Sequence, residues 1–172
     1  MKIMKYLQKA SSMNDSTKEK QSYITISEVS SLWLQLSGRY DAIESTRILR
    51  NFVRDEDLKK MLDDGLEVLN TQVKELESTS RDYGIPMPCK PPEFSNIALD
   101  VNAITDKYVF KRIYRGIQNF LSLHMTCFIH TKSSFLREKF RKFLNEETDL
   151  FDAMIEYGKL KGWLEEEPTF RP

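Results

Sequence analysis

Four long segments of the sequence carry apolar residues every three or four positions, and this pattern constrains the fold more than any other feature. The segments cover residues 27–53, 55–82, 105–130 and 133–162. Residues at this spacing share one face of an α-helix, so each segment predicts a long amphipathic helix. Gly and Pro number 6 each among 172 residues, and 30% of the residues are charged, which also favours helices over strands. We therefore expect an all-α fold.

The links between the predicted helices indicate how the helices are arranged. The first and third links are very short, whereas residues 84–104 separate the second helix from the third. A short link makes two long helices antiparallel, and a single long crossover between helices two and three is typical of ferritin-like bundles. The crossover is rich in proline and apolar residues, so we expect it to be ordered and to pack its own side chains. The predicted architecture is a ferritin-like four-helix bundle.

Capping residues and stop signals give the expected helix boundaries. Ser27 and Asp55 are good N-caps for the first two helices, and Gly84 and Gly162 end the second and the fourth. The residues expected on the core faces of the four helices are Val29, Leu32, Trp33, Leu36, Tyr40, Ile43 and Arg47; Leu58, Met61, Leu62, Leu66, Leu69, Val73 and Leu76; Val109 or Phe110, Ile113, Ile117, Phe120 or Leu121, His124 and Phe128; and Leu136, Phe140, Phe143, Glu147, Leu150 or Phe151, Met154 and Tyr157.

The two ends of the chain differ from the helical segments. Residues 1–22 are mostly polar and lack a helical pattern, so we expect a disordered N-terminal arm, with residues 23–172 forming a single domain. The C-terminal tail carries Trp163 and Phe170, and free tails rarely carry such large apolar side chains, so we expect the tail to dock on the bundle. Trp163, Phe170 and, in the crossover, Phe94 are the residues expected to contact other proteins.

Charge and cysteine content bear on the partners and the compartment. The chain has 26 basic and 26 acidic residues and no formal net charge, whereas nucleic-acid-binding proteins usually have a basic excess. No apolar run approaches the ~18 residues of a membrane span. Two distant cysteines, Cys89 and Cys127, form no disulfide framework and favour a reducing, cytoplasmic compartment. We expect protein partners, with a second copy of the chain as one candidate, and neither nucleic acid nor a membrane.

A ferritin-like bundle can hold two metal ions, but the residue pattern of such a centre is absent. The centre needs a Glu from each of two helices and a Glu-x-x-His pair from each of the other two. The sequence has two histidines, His124 and His130, and the positions three residues before them are Leu121 and Cys127. We therefore expect no catalytic residue, no metal and no cofactor.

His124 and Glu147 nevertheless fall on apolar faces and leave two interpretations open. They are either satisfied core groups or, with Glu44, ligands of a single iron, manganese or zinc ion or of a small molecule. His124 lies about eight residues before the third link and Glu147 about fifteen after it, an axial offset of about 10 Å at 1.5 Å per residue. This offset argues against direct pairing, so Glu147 is expected to reach Arg47 or Tyr40.

Three segments carry a family resemblance: SEVSSLW (27–33), PMPCKPPEFSNIALDVNAITDKYVF (86–110) and GKLKGWLEEEPTF (158–170). Together they resemble a ferritin-like family of mostly uncharacterised proteins from spore-forming Gram-positive bacteria, related to spore coat protein F. The resemblance implies a four-helix ferritin-like bundle and a spore coat or sporulation context, without a known reaction. The leading interpretation is a non-enzymatic structural or interaction protein, and the alternative is a metal- or small-ligand-binding bundle with an atypical site around His124.

Overall fold

The computed structural model describes residues 16–91 and 104–164, and every secondary-structure element in these ranges is a helix. The elements are α1 (Thr17–Tyr23), α2 (Ile26–Arg50), α3 (Glu56–Asp82), α4 (Asp106–His130) and α5 (Ser134–Lys161). The last four are 25 to 28 residues long and correspond to the four helices that the apolar periodicity predicts. The prediction of an all-α fold is confirmed.

Side-chain caps begin each of the four long helices. The N-cap residues are Thr25, Asp55, Thr105 and Ser133, whose side-chain oxygens accept hydrogen bonds from backbone N–H groups of the first turn. A cap of this kind stabilises a helix by about 1 kcal/mol. The cap of α2 is Thr25 and not the predicted Ser27, because Glu28 completes a capping box with Thr25.

Glu28 also connects the start of α2 to the turn between α4 and α5. Its side chain is buried and accepts hydrogen bonds from the backbone N–H groups of Lys132 and Ser133 at 3.0 and 2.7 Å. Burial pushes the pKa of Glu28 up, but the hydrogen bonds from Thr25, Ser133 and Lys132 outweigh burial and lower it. The carboxylate therefore stays charged and satisfies donors of two separate segments.

Two glycines end α3 and α5 as predicted. Gly84 and Gly162 have φ angles of 63° and 64°, the left-handed conformation that glycine adopts at the lowest cost. The following N–H groups, of Ile85 and Trp163, donate back to carbonyl groups in the last helical turn at 2.8 and 2.9 Å. These hydrogen bonds satisfy carbonyl groups that a helix end otherwise leaves without partners.

The four long helices pack as two hairpins around two apolar clusters. α2 packs against α3 and α4, and α4 packs against α5. The cluster toward the α4–α5 turn consists of Leu32, Leu36, Tyr40, Ile43, Val73, Leu76, Ile85, Cys127, Leu136, Phe140 and Phe143. The cluster toward the α2–α3 link consists of Val53, Leu58, Leu62, Val109, Phe110, Ile117, Met154 and Tyr157. Burial of each such side chain stabilises the fold by about 1.5–3 kcal/mol before the entropy of ordering it.

Helix α1 lies within the arm that the sequence predicts to be disordered. Ser16 and Glu19 form a capping box that begins this helix, a local signal that the polar composition hides. Gln21 then donates a hydrogen bond to the carbonyl of Tyr83 at 3.0 Å and attaches α1 to the end of α3. Residues 1–15 lie outside the described residues.

Two expectations for the core face of α2 are wrong. Trp33 is 42% exposed, and Arg47 is exposed as well. The buried face of α2 runs instead through Arg39 and Thr46, which take the positions three residues after Leu36 and Ile43. Both spacings of three and four residues are compatible with a helical face, so periodicity alone does not choose between them.

The remaining sequence-based expectations concern the crossover, the cysteines and the membrane. Ile85 and Met87 pack in the cluster toward the α4–α5 turn, whereas residues 92–103 of the crossover lie outside the described residues. Cys89 and Cys127 are both free thiols, as expected. In the described ranges, no helix combines the length and the apolar character that a membrane span requires.

Candidate functional site: a cavity beside a buried charged network

The four long helices leave a cavity between them that is partly open to solvent. Its volume is about 830 Å³. Much of its wall is apolar and consists of Ala42, Leu49, Met61, Leu62, Leu69, Ile113, Ile117, Leu150 and Met154. Gly65 and Gly116 also line the cavity, and a Cβ atom added at either position would meet no atom within 4 Å. The glycines therefore face free space and not a packed neighbour.

Four buried side chains form a hydrogen-bonded cluster beside the cavity, which we call the central network: Gln35, Arg39, His124 and Glu147. Arg39 Nη2 donates to Glu147 Oε2 at 2.9 Å and also contacts His124 Nε2. The side-chain amide of Gln35 lies 2.9 Å from His124 Nδ1. Arg39 and Glu147 line the cavity, so the central network forms part of its wall.

The donors of Arg39 determine where His124 carries its proton. A guanidinium group can only donate, so His124 Nε2 accepts, and a neutral ring then carries its proton on Nδ1. The Gln35 atom that faces Nδ1 is Nε2, and two donors cannot pair; a half-turn of the amide group places Oε1 there instead, so that Nδ1 donates to it. Glu147 Oε2 lies 3.4 Å from His124 Nε2, and the hydrogens of Arg39 Nη2 hold these two acceptors together.

Burial and neighbouring charge decide the protonation of the central network. Burial lowers the pKa of His124, and this effect outweighs the attraction of the Glu147 carboxylate for a protonated ring, which raises the pKa, while the charge of Arg39 lowers it further. Burial also lowers the pKa of Arg39, and Glu147 partly offsets that effect. An arginine nevertheless keeps its proton at neutral pH, so the network combines a neutral imidazole with one ion pair.

A second polar pair lies in the cavity wall. Gln72 on α3 is 1% exposed, and its Nε2 donates to Glu146 Oε2 on α5 at 2.7 Å. Gln72 Oε1 and Arg39 Nε are both buried and find no hydrogen-bond partner among the described residues. A buried polar atom without a partner costs about 1–3 kcal/mol. Both atoms belong to residues of the cavity wall, although neither atom has surface open to the cavity as the side chains are placed.

The predicted separation of His124 from Glu147 is wrong, as is the expectation that Glu147 reaches Arg47 or Tyr40. The charge partner of Glu147 is Arg39. Side chains lean toward the N-terminus of their own helix. Because α4 and α5 are antiparallel, His124 leans away from their shared turn and Glu147 leans toward it, which closes much of an axial offset of about 10 Å.

Sequence reasoning missed Gln35 and Arg39. These two residues are four positions apart on α2, between Leu32, Leu36 and Tyr40, all of which are buried. A polar pair at this spacing inside an apolar face is the sequence signal from which they could have been found. The rule that charged side chains face solvent unless paired hid the signal, because the partner, Glu147, is 108 residues away in sequence.

The residues named for the alternative metal site occupy different surroundings. His124 and Glu147 belong to the central network, and both ring nitrogens of His124 face Gln35 or Arg39. Glu44 is half-buried and does not line the cavity. Within residues 16–91 and 104–164, no group of three or more His, Cys, Asp or Glu side chains is placed to hold a metal ion.

Trp163, predicted to contact other proteins, packs against the protein's own helices. We call its surroundings the aromatic cluster, which consists of Phe110, Tyr114, Phe151, Tyr157 and Trp163. The Trp163 ring lies 5.8 Å from Phe110 and 5.7 Å from Tyr157, measured between ring centroids. The start of the tail is therefore docked on α4 and α5. Phe94 and Phe170 lie outside the described residues.

The fold and the site define a class: an all-helical protein with a side cavity next to a buried Arg–His–Glu network. The chain belongs to the family described as "Protein of unknown function (DUF3231)", which matches residues 11–172. The predicted family resemblance is thereby confirmed in part, and its ferritin-like character stays a prediction.

A solved structure also resembles the chain, and it is described as a "putative spore coat protein" from Bacillus halodurans C-125. The two superpose with a TM-score of 0.80 and 24% sequence identity, over 86% of this chain and 96% of that one. At this identity the likeness shows a shared fold. No curated protein matches the sequence.

Proposed function

We propose that the protein binds a small organic molecule in the cavity between its four long helices. The observation that carries the proposal is the presence of two buried polar atoms without partners, Arg39 Nε and Gln72 Oε1, on residues that line a cavity of about 830 Å³. Ligand pockets typically measure about 300–1,000 Å³ and combine apolar walls with a few polar groups that orient the ligand. A purely structural centre would be packed and would pair its buried polar groups.

An organic ligand suits this site better than a metal ion does. His124 Nε2 already accepts from Arg39, and Nδ1 carries the proton that faces Gln35. The proposal takes up the alternative interpretation from the sequence in its small-ligand form, with the ligand beside the central network and not on His124.

The neutral fluorescent probe N-phenyl-1-naphthylamine tests this proposal. We expect its fluorescence to rise and to saturate at about one probe per chain. Gly116→Phe is expected to abolish the signal because the new ring fills the cavity. Gly116→Ala adds one methyl group and is the matched control that keeps most of the binding. Absence of saturable binding, or unchanged binding to Gly116→Phe with a normal circular dichroism spectrum, would show that the cavity is not a ligand site.

We further propose a non-enzymatic role associated with spores, on a ferritin-like bundle. The name of the structural relative from Bacillus halodurans supports the spore context, and the two helical hairpins support the bundle. A fluorescent fusion followed through sporulation in a native host tests the location. Accumulation on the developing spore is the expected result, and uniform cytoplasmic fluorescence at every stage contradicts it.

A further inference from the structure

We propose that the ligand of the cavity is an amphipathic amine, with an apolar body in the cavity and an ammonium group at Glu146. This inference rests on the proposed function, because it names the chemical class of molecule that the same cavity takes. It follows from three features of the cavity wall: the sign of its charges, the unpartnered acceptor Gln72 Oε1, and the apolar side chains that form much of the rest of the wall.

The charges that line the cavity are predominantly negative. Among the described lining residues, Glu147 is neutralised by Arg39 through their ion pair. The remaining charged lining residues are Asp41, Asp64, Glu146, Asp149 and Arg112. Each of the four long helices contributes to this set, and acids outnumber bases by four to one. A cavity with apolar walls concentrates such a field, so it attracts cations and repels carboxylates and phosphates.

An unpartnered acceptor lies next to Glu146, the most enclosed of these four acids. Gln72 Nε2 donates to Glu146 Oε2 at 2.7 Å, which leaves Gln72 Oε1, on the same amide, without a partner. An alkylammonium group has three N–H donors and no acceptor. One such group can therefore donate to the Glu146 carboxylate in place of Gln72 Nε2, and it reaches the buried Gln72 oxygen once the amide turns toward the cavity. A hydroxyl group has one donor and no charge, and a carboxylate has no donor.

A lysine of the protein itself competes weakly for this position. Lys142 Nζ lies 3.7 Å from Glu146 Oε1, one helical turn away on α5. The same ammonium group makes a closer ion pair with Glu75 on α3. Lys142 is about half exposed, so the contact with Glu146 is screened by water. Glu146 Oε2 is the oxygen on the side of Gln72, away from Lys142, and Glu146 lines the cavity.

Three probes with the same naphthalene body test the head group: 2-(1-naphthyl)ethylamine, 2-(1-naphthyl)ethanol and 1-naphthylacetate. We expect isothermal titration calorimetry at pH 7 to show the amine binding at one per chain, at least about tenfold tighter than the alcohol, because a charge-assisted hydrogen bond is worth more than a neutral one. The acetate is expected to bind weakest.

Two variants assign the effect to one carboxylate. Glu146→Gln is expected to weaken the amine about tenfold and to leave the alcohol unchanged. Glu138→Gln removes the same charge from an exposed position of α5 outside the cavity wall, and its amine affinity should equal that of the wild type.

The outcomes separate the two proposals. If the alcohol binds as tightly as the amine, or if Glu146→Gln leaves the amine affinity unchanged, the amine inference is overturned. In that case, binding of the alcohol that Gly116→Phe abolishes still supports a ligand cavity. If no naphthalene probe binds the wild type, both proposals fail.

Discussion

Two glycines of this protein have opposite surroundings, and they distinguish two regions of the molecule. Beside the aromatic cluster, a Cβ atom on Gly158 would lie 2.5 Å from Phe110 Cζ and 2.8 Å from Leu164 Cγ. In the cavity wall, a Cβ atom on Gly116 would meet nothing within 4 Å. Close packing is the default for a protein interior, so the aromatic cluster needs no functional explanation. The open space beside Gly116 does need one.

The two regions also differ in how they hold charge. In the central network, the ion pair between Arg39 and Glu147 is almost fully buried, with side chains 1% and 6% exposed. Near the aromatic cluster, Asp55 at the start of α3 pairs with Lys161 at the end of α5 at 2.6 Å, with side chains 18% and 27% exposed. A buried charge depends on its partner far more than an exposed one does. Substitutions in the central network should therefore change the free energy of unfolding more than substitutions near the aromatic cluster.

Arg39→Met is expected to have the largest effect on stability. It leaves Glu147 buried without its charge partner, which typically costs about 3–5 kcal/mol. Urea unfolding followed by circular dichroism measures the loss. The exposed Arg47→Met is the control and should stay within about 0.5 kcal/mol of the wild type. The double variant Arg39→Met/Glu147→Met should recover most of the loss, and a double variant as unstable as Arg39→Met would contradict the account of a charge left unpaired.

Gly158→Ala should destabilise the aromatic cluster. The new methyl group overlaps the Phe110 ring and Leu164, and overpacking of this kind costs about 1–3 kcal/mol. Thermal unfolding and near-ultraviolet circular dichroism, which reports the packing of Trp163, measure the effect together. An unchanged aromatic signal with unchanged stability would mean that this region is looser than the structure indicates.

The two regions should lose stability in separate pH ranges. The pKa of His124 is lowered by folding, so the unfolded chain binds a proton first as the pH falls below about 6.5, and stability declines. Hydrogen bonds from Lys161 and from the backbone of Leu58 lower the pKa of Asp55 to about 2. Its contribution is therefore complete above about pH 4 and is lost between about pH 4 and pH 2.

Unfolding free energies of the wild type, His124→Gln and Asp55→Asn, measured from pH 7 to pH 3, check whether the two pH ranges are separate. His124→Gln should remove part of the decline just below pH 6.5, and Asp55→Asn should remove part of the decline below pH 4. If the free energy of unfolding of both variants falls with pH in the same way as that of the wild type, neither His124 nor Asp55 controls stability in its predicted pH range.

Gly116→Ala should give the smallest change, and of the opposite sign. Alanine is favoured over glycine inside a helix by about 0.5–1 kcal/mol, and here the methyl group meets no neighbour. We expect a gain of that size in urea unfolding. Gly65→Ala, across the cavity on α3, should behave alike. A loss of stability at both positions would mean that the cavity closes in solution.

Local signals in the sequence account for most of the fold. Asp55 caps α3 and Gly162 ends α5 as predicted, because capping depends on residues within one turn. On α5, the predicted face from Leu136 to Tyr157 is buried at most positions, including the polar Glu147, and only Leu150 and Phe151 are partly buried. Periodicity therefore places a charged residue in the core correctly even when it cannot name the partner.

The site could be predicted only in part, because it depends on contacts between distant segments. His124 and Glu147 are recognisable as polar residues on apolar faces, but their pairing through Arg39 depends on the direction in which side chains lean. The cavity is an even harder case. It is set by the distances between helices and by small residues such as Gly65 and Gly116. Amino-acid composition does not determine whether the packed helices leave a cavity.

The contact of Glu28 with the α4–α5 turn has a consequence for the order of folding. Each helical hairpin closes over a short link, so its contacts form between neighbours in sequence and form fast. The hydrogen bonds from Lys132 and Ser133 to Glu28 span 104 and 105 residues and require both hairpins to be in place. Closing so long a loop is entropically costly until other contacts offset it. We expect this buried carboxylate to dock late in folding, so that it slows the separation of the hairpins more than it speeds their assembly.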